Sequence, residues 1–179
     1  MKALILLIGI SGSGKSFYLK NKFLKDFPEF NSLNISDVIV CPDNIRKEFT
    51  GDISNHTKEL AVWAAVKERL NEKLDKYDLA ILDATNLSER GKTTKGLKYD
   101  TKIGIVFPAK PDLSKERILN DLNEKVDRSN VPDEAIDKQF LKFKRSIIGN
   151  EHWDEIWNEP VRKKIREHLK KEFDKLIVL

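Results

Sequence analysis

Apolar positions along the chain alternate between two rhythms. Ala3–Ile8 is a continuous apolar run, the pattern of a central parallel strand covered on both faces. Leu19, Phe23, Leu24 and Phe27 then recur at helical spacing over Lys15–Phe27, and Pro28 ends that segment. Asp37–Cys41 reads as a second, short strand. Pro42 opens a helix through Phe49, with Gly51 behind it. A long helix is predicted over His56–Tyr77, with Trp63, Val66, Leu70, Leu74 and Tyr77 as its apolar stripe. Leu79–Asp83 is a third strand, and Asn86 is placed as the cap of a helix running to about Lys98. Ile103–Phe107 is a fourth strand, followed by a helix capped by Asp112 and ending near Asn123. Glu124–Asn130 lacks a stripe and reads as a loop. Pro132 restarts a helix to about Ile147, Glu151–Trp157 and Val161–Lys171 read as helical, and Leu176–Leu179 is a short last strand.

Strands that alternate with helices imply right-handed crossovers and a parallel sheet. The expected fold is α/β: three layers around a parallel sheet of about five strands, in one domain over residues 1–179. Ligands of such sheets sit beyond the carboxyl ends of the strands. Gly9, Asp43 and Asp83 all follow strand ends in this reading, so one face is expected to carry the chemistry.

The strand-to-helix turn after Ile8 is Gly9-Ile10-Ser11-Gly12-Ser13-Gly14-Lys15-Ser16, a G-x-x-x-x-G-K-[ST] pattern. Glycines let this backbone turn tightly and aim amides at phosphate oxygens. The helix that follows adds the partial positive charge of its N-terminus. Gly9, Ser11, Gly12, Ser13 and Gly14 form the cradle, Lys15 reaches the β- and γ-phosphates, and Ser16 ligates Mg²⁺. ATP and Mg²⁺ are therefore the expected ligands. Asp83, closing the apolar run Leu79–Leu82, has the place of a carboxylate that holds the metal directly or through water.

The acceptor side rests on Asp43 and Arg46. Three residues apart on a helix, they share a face. A carboxylate there can take the proton of an attacking hydroxyl, and an arginine one turn on can hold a substrate phosphate. The plainer alternative is a helix-capping Asp43 beside a solvated Arg46.

Gly9–Ser16, Pro42-Asp43-Asn44-Ile45-Arg46, Leu82-Asp83-Ala84-Thr85-Asn86 and Val131-Pro132-Asp133-Glu134 follow in this order. Over roughly residues 1–147 the set resembles the polynucleotide 5′-hydroxyl kinase family of P-loop kinases. The resemblance implies ATP-dependent phosphorylation of 5′-hydroxyl ends of DNA or RNA. It casts Asp43 as general base, Arg46 as the contact to the phosphate next to the acceptor nucleoside, and Asp83 with Asn86 as support for metal and loop. It also implies a lid at about residues 124–131, where Arg128 is the candidate contact to the transferring phosphoryl group and Lys125 the second. With one arginine and one lysine, this lid is thinner than the family's. By the same analogy a ligase or phosphatase acts as a separate chain, no phosphatase-like Asp-x-Asp-x-Thr stretch being present, and a homo-oligomer is open. Two other readings stay in view: a small-molecule kinase acting on a nucleoside, sugar or amino-sugar nucleotide, and an ATP-switch module without an acceptor.

Composition narrows this little. The 179 residues carry a net charge of +4, which favours phosphate-bearing partners without naming one. The single cysteine, Cys41, allows no internal disulfide and suits a reducing, cytoplasmic setting. Lys2 and the run Ala3–Ile10 mimic a short signal peptide, but the run ends in the phosphate-loop pattern, and no segment reaches membrane-spanning length. His56, His152 and His168 lack metal-ligand spacing. Trp153 and Trp157, four apart, are expected to pack a helix on the core. The basic run at Arg162, Lys163, Lys164, Arg166, Lys170 and Lys171 is expected to be a solvated face.

Overall fold

The computed structural model describes residues 1–124, 126, 130–153 and 157–179. Five strands form one wholly parallel sheet: β1 (Ala3–Ile8), β2 (Ile39–Val40), β3 (Leu79–Asp83), β4 (Thr101–Val106) and β5 (Lys175–Val178), in the order β2-β3-β1-β4-β5. The apolar run of β1 has its predicted consequence. Leu4, Leu6 and Ile8 belong to a core on one face of the sheet, and Ala3, Ile5 and Leu7 to a second core on the other. All six residues are buried, and each large one contributes about 1.5–3 kcal/mol to folding. A strand buried on both sides needs helices on both sides, which is the three-layer α/β arrangement.

Around the sheet lie α1 (Lys15–Asn21), α2 (Phe23–Asp26), α3 (Pro42–Thr50), α4 (Glu59–Tyr77), α5 (Arg90–Thr94), α6 (Pro111–Asn123), α7 (Asp133–Phe143) and α8 (Glu159–Leu169). The predicted helix over Lys15–Phe27 is in fact two, because Lys22 leaves helical geometry at φ −126°. Its apolar residues still serve one core: Leu19, Phe23 and Phe27 are buried together. β2 is shorter than expected, since only Ile39 and Val40 pair with β3. A 3₁₀ turn over Ile35–Asp37, capped by the Asn34 side chain, precedes it. A π-helical turn, Lys144–Ile148, continues α7 and ends at Gly149 in the left-handed region.

Four expectations are corrected. α4 begins at Glu59 rather than His56, and its buried stripe is Val62, Val66, Leu70 and Leu74, while Trp63 is 37% exposed. Asn86 caps no helix. At φ 49° its side-chain amide donates to the Leu7 and Leu82 carbonyls, bridging β1 and β3, and α5 starts only at Arg90. Lys110, with Pro111 behind it, flanks α6, so Asp112 lies inside the first turn. Glu151 and His152 form a turn, not the start of a helix. Trp153 and Trp157 do pack inward: Trp153 is buried beside Phe140, and the Trp157 indole donates to the Leu179 carbonyl. On α8 the basic run is partly neutralised, Arg162 and Arg166 both pairing with Glu159. No helix among the described residues is long and apolar enough to cross a membrane.

Candidate active site

The phosphate loop connects β1 to α1 at the carboxyl edge of the sheet. Gly12 and Gly14 sit at φ 74° and 97°, where a side chain is strained. Gly12 also has no room for one, because a Cβ there would lie 2.7 Å from the Ser114 carbonyl oxygen on α6. Lys15 folds back over the loop and donates to the carbonyls of Gly9 (3.1 Å) and Ile10 (2.9 Å). The Gly9 amide donates to the Thr85 carbonyl, joining the loop to the segment after β3. Ser16 is exposed at the start of α1.

Two contacts to this loop were not foreseen. The Ser11 amide donates to Gln139 Oε1 on α7 at 2.8 Å, and Arg117 on α6 donates to the Gly12 carbonyl at 3.2 Å. Arg117 also lines a cavity of about 120 Å³ with Ser13, Pro108, Lys110, Leu113 and Ser114. The Ser13 hydroxyl is buried there with no hydrogen-bond partner among the described residues. No local pattern marks Arg117 or Gln139, because each reaches the loop across more than a hundred residues.

Asp83 ends β3 opposite Leu7. Burial raises its carboxyl above the ordinary range; the charge of Lys15 works against that rise and the charge of Asp43 adds to it. The Cys41 thiol, at the end of β2, is pushed up to about 11, first by burial and then by the charges of Asp83 and Asp43. Lys15, Asp83, Cys41 and Asp43 therefore share one electrostatic environment at the carboxyl edge of the sheet. For Mg²⁺ the donor set fits: a Ser16 hydroxyl and an Asp83 carboxylate are hard oxygens. No group of three or more His, Cys, Asp or Glu that could hold a metal exists among the described residues. A metal here would take its remaining ligands from phosphate and water, the usual habit of Mg²⁺.

Arg46 is not solvated. It is 5% exposed and bonds Asp43 Oδ1 through Nη1 (2.5 Å), Glu59 Oε1 through Nε (2.6 Å) and the Ile53 carbonyl (3.2 Å). The guanidinium thus ties α3 to the first turn of α4 and fixes Asp43, whose side chain remains 48% exposed. Glu59 was missed by sequence reasoning, for its partner lies thirteen residues away in another helix. Arg46→Ala is expected to cost about 2–3 kcal/mol in a urea titration. That is below the full effect of breaking a buried pair, because Asp43 and Glu59 keep contact with water. The hydrogen bond from Arg46 lowers the Glu59 pKa. Glu59 therefore contributes stability above its unfolded pKa of about 4.3, and this is lost as pH falls through the lower folded value. Glu59→Gln should accordingly flatten the loss of stability on acidification, seen as a smaller drop in melting temperature between neutral and acidic buffer than in the unsubstituted protein. Lys125 and Arg128, the lid candidates, lie outside the described residues.

The profile of the AAA domain family matches residues 4–146. No curated protein matches the chain. Among solved structures, a gluconokinase from Sinorhizobium meliloti 1021 is 16% identical, with 96% of this chain and 94% of that one covered and a TM-score of 0.45. A deoxyadenosine kinase from M. mycoides is 14% identical, with 94% and 97% covered and a TM-score of 0.47. With a glycine-rich phosphate loop opening the first helix of a parallel sheet, and the family profile spanning most of its length, the chain belongs to the AAA domain family.

Proposed function

We propose that this protein is a kinase that transfers the γ-phosphoryl group of ATP to a hydroxyl of a small molecule held beside Asp43. The observation that carries the reading is the half-exposed Asp43 carboxylate, fixed by a buried arginine at the same carboxyl edge of the sheet as Lys15 and Asp83. The nucleotide's phosphates lie in the loop against the amides at the N-terminus of α1, with Lys15 leaving the Gly9 and Ile10 carbonyls for the β- and γ-oxygens. Asp43 takes the proton of the acceptor hydroxyl as that oxygen bonds the γ-phosphorus. The bond from the γ-phosphorus to its bridging oxygen breaks, and ADP leaves with the electron pair. Ser16 and Asp83 would hold Mg²⁺, which when bound would neutralise phosphate charge.

A small acceptor is preferred because Arg46 is already engaged. With Asp43, Glu59 and a backbone carbonyl on its donors, it is a positioning residue rather than a waiting phosphate contact. The 5′-hydroxyl end of a nucleic acid is the second reading. It is favoured by the Asp43-x-x-Arg46 and Asp83-Ala84-Thr85-Asn86 sequences and requires Arg46 to exchange Glu59 for an acceptor phosphate.

The test is transfer of labelled phosphate from ATP to a panel of nucleosides, sugars, sugar acids and 5′-hydroxyl oligonucleotides, with Asp43→Ala as control. Transfer to a small alcohol and not to oligomers supports the reading. Transfer to oligomers alone, with binding that falls steeply as salt rises, would replace it with the second. No transfer to any acceptor by folded protein that still binds Mg-ADP would remove both.

A further inference from the structure

The Ile10–Ser11 peptide of the phosphate loop is gripped at both ends. Its carbonyl, on Ile10, accepts from Lys15 Nζ at 2.9 Å and from the Ser13 amide at 3.2 Å. Its N–H, on Ser11, donates to Gln139 Oε1 at 2.8 Å. The two ends of a trans peptide point opposite ways in one plane, so a partner on the N–H side fixes the direction of the carbonyl. The residue that does this is not a loose surface side chain. Gln139 is half-buried on α7 and adjoins Phe140, whose ring packs against the buried Trp153. An ion pair of 2.7 Å between Lys115 and Asp137 fastens α7 to α6, and α6 supplies Arg117 to the Gly12 carbonyl. Because the Ser11 nitrogen is a donor, the atom facing it is the carboxamide oxygen of Gln139.

These holds do not all outlast nucleotide binding. In the proposed reaction Lys15 leaves the Gly9 and Ile10 carbonyls for the β- and γ-oxygens. The Ile10 carbonyl then keeps its 3.2 Å bond from Ser13, and the 2.8 Å bond to Gln139 becomes the shorter hold on this peptide among the described residues. Without it the half-buried Ser11 N–H would lack an acceptor, and an unpaired amide favours turning the peptide out toward water. A turned peptide shifts the chain directly before Gly12 and Gly14, whose left-handed backbone shapes the cradle.

We propose that Gln139 is a positioning residue of the phosphate loop: it holds the Ile10–Ser11 peptide in place while Lys15 moves from the loop carbonyls to the phosphates of the nucleotide. It acts through the loop and not on the reacting atoms. The inference rests on the nucleotide-binding part of the proposed function and is indifferent to the acceptor. The bond counts most once Lys15 has left, so its loss falls on nucleotide affinity. At saturating ATP the phosphates themselves brace the loop, and the rate of transfer is nearly unaffected.

Gln139→Met keeps the length of the side chain and removes the acceptor. Titration of the full chain with Mg-ADP is expected to give a Kd about five- to tenfold weaker than that of the unsubstituted protein, the worth of one hydrogen bond. KM for ATP should rise alike, with kcat little changed. Amide hydrogen exchange should quicken at Ser11 while β1 and β3 keep their protection, which separates this effect from general destabilisation. Ser11→Pro has no N–H to hold, so on that background Gln139→Met should cost nothing further. This pattern of Mg-ADP binding without transfer to any acceptor would sustain the inference while removing the kinase reading. An unchanged Kd, an equal loss on the Ser11→Pro background, exchange that quickens across the whole sheet, or a loss confined to kcat would overturn it.

Discussion

Asp43→Asn is expected to lower kcat for phosphoryl transfer by about 10²–10⁴-fold, the contribution of a positioned general base. The substitution is close to isosteric. The amide carbonyl of the replacement can still accept from Arg46 Nη1, so the clamp between α3 and α4 keeps its geometry through Glu59 and the Ile53 carbonyl. What disappears is the capacity to take a proton. Affinity for Mg-ADP should change little, because the phosphates are held by the loop amides and Lys15. A large fall in kcat with KM for ATP retained would mark an interaction made in the transition state rather than in nucleotide binding. A variant that keeps more than about a tenth of the rate would remove Asp43 from the proton-accepting role. It would also remove the division of labour between Asp43 as base and Arg46 as the residue that aims it.

Much of the fold was legible because it follows from local rhythm. The apolar runs gave the bounds of β1 and β3 as the structure has them, Ala3–Ile8 and Leu79–Asp83, since strands buried on both faces leave no polar position to confuse the reading. The phosphate loop was legible for a chemical reason: left-handed backbone at Gly12 and Gly14 needs glycine, so function writes itself into composition. The misses share a cause. Asparagine before a helical pattern normally caps the helix, which is the expectation for Asn86. Its amide instead serves two carbonyls on neighbouring strands, one of them 79 residues away. Trp63 obeys the period of its stripe but lies at the margin of it, beside the fully buried Val62, and a period does not state how wide the covered face is. For Arg46 the sequence offers a substrate contact or a solvated side chain, and neither describes the buried hub that Glu59 makes of it. Arg90, which also escaped notice, forks onto both oxygens of Glu172 and holds the carbonyls of Asn86 and Leu87, so the loop after β3 is fixed by a residue near the end of the chain.

Asp83→Asn is expected to push activity and stability in opposite directions. Activity should fall about 10²-fold or more, because a metal at the transferring phosphates supplies several kcal/mol and the variant gives up its charged oxygen ligand. Stability of the metal-free protein should rise. Burial is the largest influence on Asp83 and raises its folded pKa, so the charged carboxylate is a cost to the empty fold that Lys15 only partly offsets. The folded state therefore binds more protons than the unfolded chain between the unfolded value, about 3.9, and the raised folded value. Stability of the unsubstituted protein falls as pH rises through that window and stays reduced above it, whereas the amide of the variant carries no such titration. Urea midpoints measured in chelator at several pH values should thus coincide at the acid end and separate toward neutral pH, with Asp83→Asn the more stable. Adding Mg²⁺ and an ATP analogue should narrow or reverse the gap, since ligand that binds only the folded state stabilises it in proportion to its affinity. A variant less stable than its parent in chelator at neutral pH would mean that Asp83 serves the fold through Lys15 and is not a charge held at a cost for a metal.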